Sequence, residues 1–278
     1  MRLGAGPDRQ GGRPAERRRV LRVRDGRLDE RPDFLAAEEP LEVRLEGAQV
    51  AVTMRTPGHD TELAVGFLVG EGIVRPEDVA GVTECRSADG DGGVADVRLR
   101  PGARASAGWQ RNFYASSSCG VCGKASIEAV RVAAGPVGDG PVVDMAVLES
   151  LPDRLRDAQR VFDRTGGLHG AGLFSAGGDL ITLREDVGRH NAVDKVVGRR
   201  ALDGGLPLGT SVLLVSGRAS FELVQKAVVA GIAFVAAVSA PSTLAVELAA
   251  ESNATLVGFL RPGGFNVYAG RERIAGLA

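Results

Sequence analysis

Residues Ser211-Val-Leu-Leu-Val-Ser-Gly-Arg-Ala-Ser-Phe-Glu-Leu-Val-Gln-Lys-Ala-Val-Val-Ala230 decide the fold. A short apolar run of buried-strand type, Ser211 to Val215, meets a Ser216-Gly217-Arg218 turn and then a helix through Leu223, Lys226 and Ala230. The unit recurs downstream: Ala233 to Val238 is another apolar strand, Ser242 caps a helix, and Thr255 to Leu260 closes a third strand. Upstream, Leu168 to Ser175 and Leu180 to Leu183 are strands around Ala176-Gly177-Gly178-Asp179, and a helix runs from about Gly188 to Arg200. Strand, glycine turn and helix in this succession argue for an α/β layered sheet with parallel members.

The first half reads differently. Leu41 to Leu45 and Gln49 to Met54 alternate at period two around Glu46-Gly47, the pattern of a hairpin. Asp60 is placed to cap a helix carrying Leu63, Ala64, Phe67 and Leu68 on one face. Val79 to Cys85 and Val94 to Arg100 are two further strands. A helix is expected from Lys124 to about Ala133. Another carries Leu151, Leu155, Ala158 and Phe162, with Pro152 in its first turn and Gly166-Gly167 at its end. The glycines and prolines between 135 and 141 mark a boundary. The expected organisation is a disordered basic tail (1–24), a small N-terminal α+β domain (25–138) and a C-terminal α/β cofactor-binding domain (139–278).

Of 278 residues, 44% are hydrophobic, enough for a sizeable core. No apolar run is long enough to cross a bilayer, and the N-terminus lacks a signal-peptide pattern. Three cysteines suit a reducing compartment, so the expected location is the cytoplasm. The net charge is −1, but residues 1–24 hold eight arginines against Asp8 and Glu16, +6, which leaves −7 for the remainder. That arm is rich in Gly and Pro and lacks interleaved aromatics, so disorder is expected there and nucleic-acid binding is not. The three lysines, Lys124, Lys195 and Lys226, all fall within or just after stretches that carry chemistry.

The most reactive of those stretches is Ser116-Ser-Ser-Cys-Gly-Val-Cys-Gly-Lys124. Two thiols three positions apart stand among small residues that leave sulfur reachable. Lys124 and a following helix N-terminus would favour the thiolate, which is the nucleophile. A zinc site would need a second ligand pair that the sequence does not offer, and no metal ligand set is expected. Four further stretches concentrate polar groups. They are Gly166-Gly-Leu-His-Gly170, the twelve residues from Arg184 to Lys195 with His190 and Asp194 on one helical face, Ser216 to Glu222, and Gly258 to Tyr268. The Arg184–Lys195 stretch reads equally as a solvated, salt-bridged first turn or as part of a site. Ser216-Gly217-Arg218 puts backbone amides at a helix start, where they can hold an anion. In the last stretch, Phe259 and Phe265 can stack on a planar base while Arg261 and the Gly263-Gly264 amides meet phosphate; a hairpin turn with core aromatics explains it as well.

In this order and spacing the stretches resemble the formate dehydrogenase accessory sulfurtransferases, the FdhD family. The resemblance runs from Thr56-Pro-Gly-His-Asp60 to Tyr268 and includes Ser118-Cys-Gly-Val-Cys-Gly123, Thr165-Gly-Gly-Leu-His169, Arg184 to Lys195 and Ser216-Gly-Arg218. It implies a sulfur carrier that takes a persulfide from a cysteine desulfurase and passes sulfur to the molybdenum (or tungsten) bis-guanine-dinucleotide cofactor of formate dehydrogenase, bound as cargo. It further implies a homodimer and a second domain similar to the cytidine deaminase fold. By the same resemblance Cys119 holds the persulfide and Cys122 assists, and Phe259, Leu260, Arg261, Pro262, Gly263 and Gly264 match the cofactor-binding stretch. Ser216, Gly217, Arg218, His190 and Lys195 complete the expected cofactor contacts. The zinc signature of a deaminase is absent, so no deaminase chemistry is carried over. Two other classes stay open: a cofactor chaperone that does not transfer sulfur, and a dithiol oxidoreductase.

Overall fold

The structure, a computed structural model, describes residues 12–86, 92–106 and 135–277. Cys119, Cys122, Lys124 and the helix expected from Lys124 lie outside the described residues.

The chain begins with a difference from expectation. Residues Ala15–Arg24 form strand β1, paired antiparallel along its whole length with β2 (Arg27–Ala36). A disordered tail reaching to residue 24 is therefore corrected. The signal was Asp25-Gly26, whose positive φ angles of 50° and 74° make the two-residue turn that suits hairpin twist. The arginines stand outward along the ribbon, so charge does not oppose the pairing. At its root, Arg164 stacks on Phe34, 4.5 Å from the ring centre.

Strands β3 (Glu39–Leu45) and β4 (Ala48–Arg55) make the expected hairpin, with Glu46 and Gly47 both at positive φ. With β5 (Val79–Arg86) and β6 (Gly93–Leu99) they form a four-stranded sheet in the order β4-β3-β6-β5. Helix α1 (Asp60–Gly70) packs on this sheet. Its N-cap is His59, not Asp60, in a left-handed conformation at φ 62°. Asp60 instead receives two hydrogen bonds from the Arg55 guanidinium at 2.8 and 2.7 Å, and the Thr61 amide donates to Glu84 at 2.8 Å. Burial drew Asp60 into an ion pair, and Glu84 took the capping role from across the sheet.

The second half contains β7 (Val143–Asp144), α2 (Met145–Ala158), α3 (Arg160–Thr165), β8 (His169–Phe174), β9 (Leu180–Asp186) and α4 (Arg189–Leu202). These are followed by β10 (Val212–Val215), α5 (Phe221–Val229), β11 (Phe234–Ala237), α6 (Thr243–Glu251), β12 (Thr255–Arg261), β13 (Gly264–Ala269) and β14 (Ile274–Ala275). The main sheet has the order β13-β12-β11-β10-β8-β9, with β10, β11 and β12 parallel and the flanking strands antiparallel. Mixed α/β architecture is what the strand–turn–helix succession implied. Pro152 lies inside α2 and not in its first turn, because the helix starts earlier, at an Asp144 cap accepting from the Ala146 amide at 2.8 Å. The expected single helix also ends at Ala158, and Phe162 belongs to α3.

The apolar strands face two cores by alternation. Val212 and Leu214 pack with Leu148, Leu151 and Leu155 of α2, whereas Leu213 and Val215 meet α4, α5 and α6. The second core continues through α1 to Leu41 and Val43 of the small sheet, so one apolar interior joins the two halves. No helix among the described residues is long and apolar enough to cross a membrane.

At the junction of the halves, Glu62 of α1 accepts from Arg184 Nε and from its terminal nitrogen at 2.5 and 2.7 Å. Burial opposes its ionised form, yet hydrogen bonds from Arg184 and His59 hold its carboxyl down to about 2, from an ordinary 4.5. The folded value is the lower one, so this stabilisation is present above pH 4.5 and lost as pH falls through 2. It amounts to about 3 kcal/mol. Glu62→Gln is expected to destabilise the protein by about that amount at pH 7 in urea unfolding. The gap from wild type should close toward pH 2; a gap independent of pH would assign the loss to packing instead.

Candidate functional site

The parallel strands β10, β11 and β12 end on one edge, where three successive turns are stitched together through the backbone. Ser239, just after β11, donates its amide to the Gly217 carbonyl at 3.3 Å, and its own carbonyl accepts from the Phe259 amide at 3.1 Å. The Ala219 amide donates to Ala240 at 3.2 Å and its carbonyl accepts from Ser242 at 3.0 Å. Ser216, Gly217 and Phe259, forty residues apart in sequence, therefore share one surface, the crevice at strand carboxyl ends where ligands bind in open α/β sheets.

Each turn is held in place. Ser216 bonds twice to Gly170 of β8: its amide donates to the Gly170 carbonyl, and its hydroxyl accepts from the Gly170 amide, both at 2.9 Å. Gly217 lies against His169, whose Nδ1 would stand 3.3 Å from a Cβ at that position. Arg218 is exposed. Phe259 is 40% exposed with φ 53°, an uncommon backbone state for a bulky residue. Such strain concentrates at ligand sites. It occurs where the β12–β13 register slips between Gly258 and Arg261. Gly258 permits the slip, since a Cβ there would meet Pro241 at 2.9 Å and the Tyr268 ring at 3.0 Å. Arg261, Pro262 and Gly263 are exposed at the β12–β13 turn, with Arg261 opposite Gly264 in register. The stretch is a hairpin turn, as one reading of it expected, and its Phe259, Arg261, Pro262 and Gly263 are exposed.

Other expected contacts sit elsewhere. Leu260 is fully buried in the α2-side core. Lys195 is 1% exposed, its Nζ 2.7 Å from Asp186 Oδ2 and donating to the Thr56 carbonyl at 2.8 Å. Asp186 is itself saturated by the Asn191 side chain and by the amides of Thr56 and Gly188. Lys226, also buried, lies 2.7 Å from Asp194 and 3.1 Å from Glu71, with the Phe67 ring below it. Desolvation pushes the Asp194 carboxyl up to about 6, with Lys226 opposing. The charge-dense Arg184–Lys195 stretch is thus no solvated first turn: Asp186, His190, Asn191, Asp194 and Lys195 are all buried. Lys195 and Lys226 mark buried junctions, each a compact ammonium held among oxygen acceptors.

His190 stays at the edge, beneath the turn, with Nε2 2.8 Å from Glu222 Oε2 and 3.2 Å from Ser220 Oγ. Both partners meet the same nitrogen, so this is not the relay of a hydrolytic triad, which uses the two ring nitrogens separately. Among the described residues no group of three or more His, Cys, Asp and Glu side chains is placed to hold a metal. The sequence reading had Ser220, Glu222 and Arg189 within its polar stretches but gave them no contact, and it missed Ser239.

A mixed α/β protein with its polar surface at the carboxyl edge of parallel strands has the architecture in which open sheets bind ligands. Comparison gives the family: residues 36–275 match the FdhD/NarQ family model, and the chain belongs to that family. It is 58% identical over 273 residues to the sulfur carrier protein FdhD of Streptomyces coelicolor, covering 95% of this chain and 97% of that one. It is 42% identical over 263 residues to the protein of the same name from Sulfurisphaera tokodaii, covering 93% and 98%. A crystal structure from Desulfotalea psychrophila, assigned as a formate dehydrogenase accessory protein, superposes with a TM-score of 0.75 at 27% identity, covering 94% of this chain and all of that one.

Proposed function

We propose that the chain is a sulfur carrier serving formate dehydrogenase. Cys119 takes sulfur from a cysteine desulfurase as a persulfide and delivers it to the molybdenum bis-guanine-dinucleotide cofactor, held as cargo at the carboxyl edge. In the loading step the Cys119 thiolate attacks the terminal sulfur of the donor persulfide. A new S–S bond forms on Cys119, the donor S–S bond breaks, and the donor cysteine leaves as thiolate. No external oxidant or reductant is needed.

The observation that carries the reading is the Gly217–Ser239–Phe259 backbone bridge. It unites an anion-binding turn, a basic side chain and a strained, exposed aromatic on one surface. A guanine dinucleotide brings a diphosphate and flat bases, and these are complementary groups. Buried Lys195 and Leu260 act in this account as supports beneath the surface, not as contacts.

The client assay tests it. Protein loaded by a desulfurase and cysteine should switch on formate oxidation by the apoenzyme with its cofactor, and unloaded protein should not. Equal activity with unloaded protein would leave only a chaperone role. GDP should bind, and Arg218→Ala and Arg261→Ala should each weaken it about ten- to a hundredfold by loss of a charge-assisted hydrogen bond. Sulfur loading of Cys119 should survive both changes. GDP affinity unchanged in both variants would move the nucleotide site away from this edge.

A further inference from the structure

Arg189, Arg218 and His169 gather at the carboxyl edge, beside the His190–Glu222 pair. Arg218 is exposed, and among the described residues neither it nor Arg189 is paired with a carboxylate. Arg189 opens α4, and its Nε is buried with no hydrogen-bond acceptor among those residues. A buried N–H in that condition calls for a partner. His169 begins β8 half-buried against Gly217, so that any side chain at 217 would crowd its ring. Burial, and after it the Arg189 charge, holds His169 below the ordinary histidine value; Asp186 pulls the other way and His190 adds least. Asp186 is unable to serve as counter-ion because its oxygens are taken by Lys195, Asn191 and two backbone amides. Glu222 of α5 meets His190 through Oε2, while its Oε1 is buried without a hydrogen-bond partner among the described residues and makes no ion pair with either arginine.

We propose that Arg189 and His169 form an anion grip at this edge, closing on a phosphate oxygen of the bound nucleotide. The proposal rests on the nucleotide reading above and adds two residues that reading does not use. The anion supplies the acceptor that Arg189 lacks. It also opposes the field that Arg189 sets at the imidazole, so the ring binds a proton from solvent more readily in the complex than in the free protein. Gly217 is small here so that His169 can lie directly beside the Ser216–Arg218 turn.

The chain has only three histidines, so the ring C2–H signals of the full-length protein can be followed by proton NMR and His169 assigned with His169→Gln. The probes are GDP and inorganic pyrophosphate. Saturating GDP or pyrophosphate should raise the His169 titration midpoint by about one pH unit or more. Arg189→Gln should weaken GDP about tenfold or more. If GDP binds in an Arg218-dependent way while the His169 midpoint stays put, the grip is overturned and the nucleotide reading stands. If pyrophosphate moves His169 but GDP does not, the grip stands and the nucleotide reading falls. If neither probe moves it and neither binds, both are wrong. The wild-type titration decides without relying on any variant to fold.

Discussion

Gly66→Ala is expected to abolish cooperative folding or to lower the unfolding midpoint severely. Helices α1 and α4 cross with their backbones in contact. A Cβ on Gly66 would lie 1.8 Å from the Asp194 carbonyl oxygen, and one on Gly198 would lie 1.8 Å from that of Glu62. These are backbone obstacles that no rotamer change removes, so the helices must separate and open the core shared by the two halves. Alanine is the better helix former by about 1 kcal/mol, which opposes the loss. Separation should cost about 4 kcal/mol or more, a large share of the ~5–15 kcal/mol that holds a domain together. The clash wins. Gly198→Ala should behave alike, and Gly81→Ala, where a Cβ meets open space, should be nearly silent. Urea unfolding of the three variants checks this; a Gly66→Ala midpoint at or above wild type would mean that the crossing is not as close as described.

The second large effect is chemical. Cys119→Ala is expected to eliminate sulfur loading, because no other group at that position can form the S–S bond. Only a few per cent of an ordinary thiol, with a pKa of about 8.5, is thiolate at neutral pH, and the thiolate is what attacks. The sequence sets Lys124 five residues on, and a nearby ammonium favours that form. Cys122→Ala should be milder or should trap the persulfide on Cys119. Radiolabelled cysteine, offered with a desulfurase, measures both. Full labelling of the Cys119→Ala protein would show that another residue carries the sulfur.

Much of this was legible in the sequence, for identifiable reasons. Val212–Val215 and Phe234–Ala237 are buried on both faces, so they read as unbroken apolar runs and gave the parallel strands directly. Gly166 and Ser242 punctuated helices as their local chemistry requires. Tertiary competition was invisible. Nothing local shows that Asp60 would be drawn to Arg55 and leave the cap to Glu84. A glycine within a helical pattern, such as Gly66, reads as a small propensity cost and not as a crossing point. Charge density misled twice: arginines hid a hairpin in β1, and the Arg184–Lys195 charges left a solvated turn as an equal reading where Asp186, His190, Asp194 and Lys195 are buried. Within the site, the turn residues were readable because glycine and arginine at a helix start have a local logic. Ser239 was not, since it acts only through its backbone and only once three strands lie side by side.

The central claim is that Cys119 carries sulfur, and peptide mass spectrometry after incubation with a cysteine desulfurase and cysteine tests it most directly. The account predicts a mass gain of one sulfur atom on the peptide that holds both cysteines, removed by a reducing agent and placed by fragmentation on Cys119 and not on Cys122. A protein that gains no sulfur, or one that ends as a Cys119–Cys122 disulfide, would contradict it.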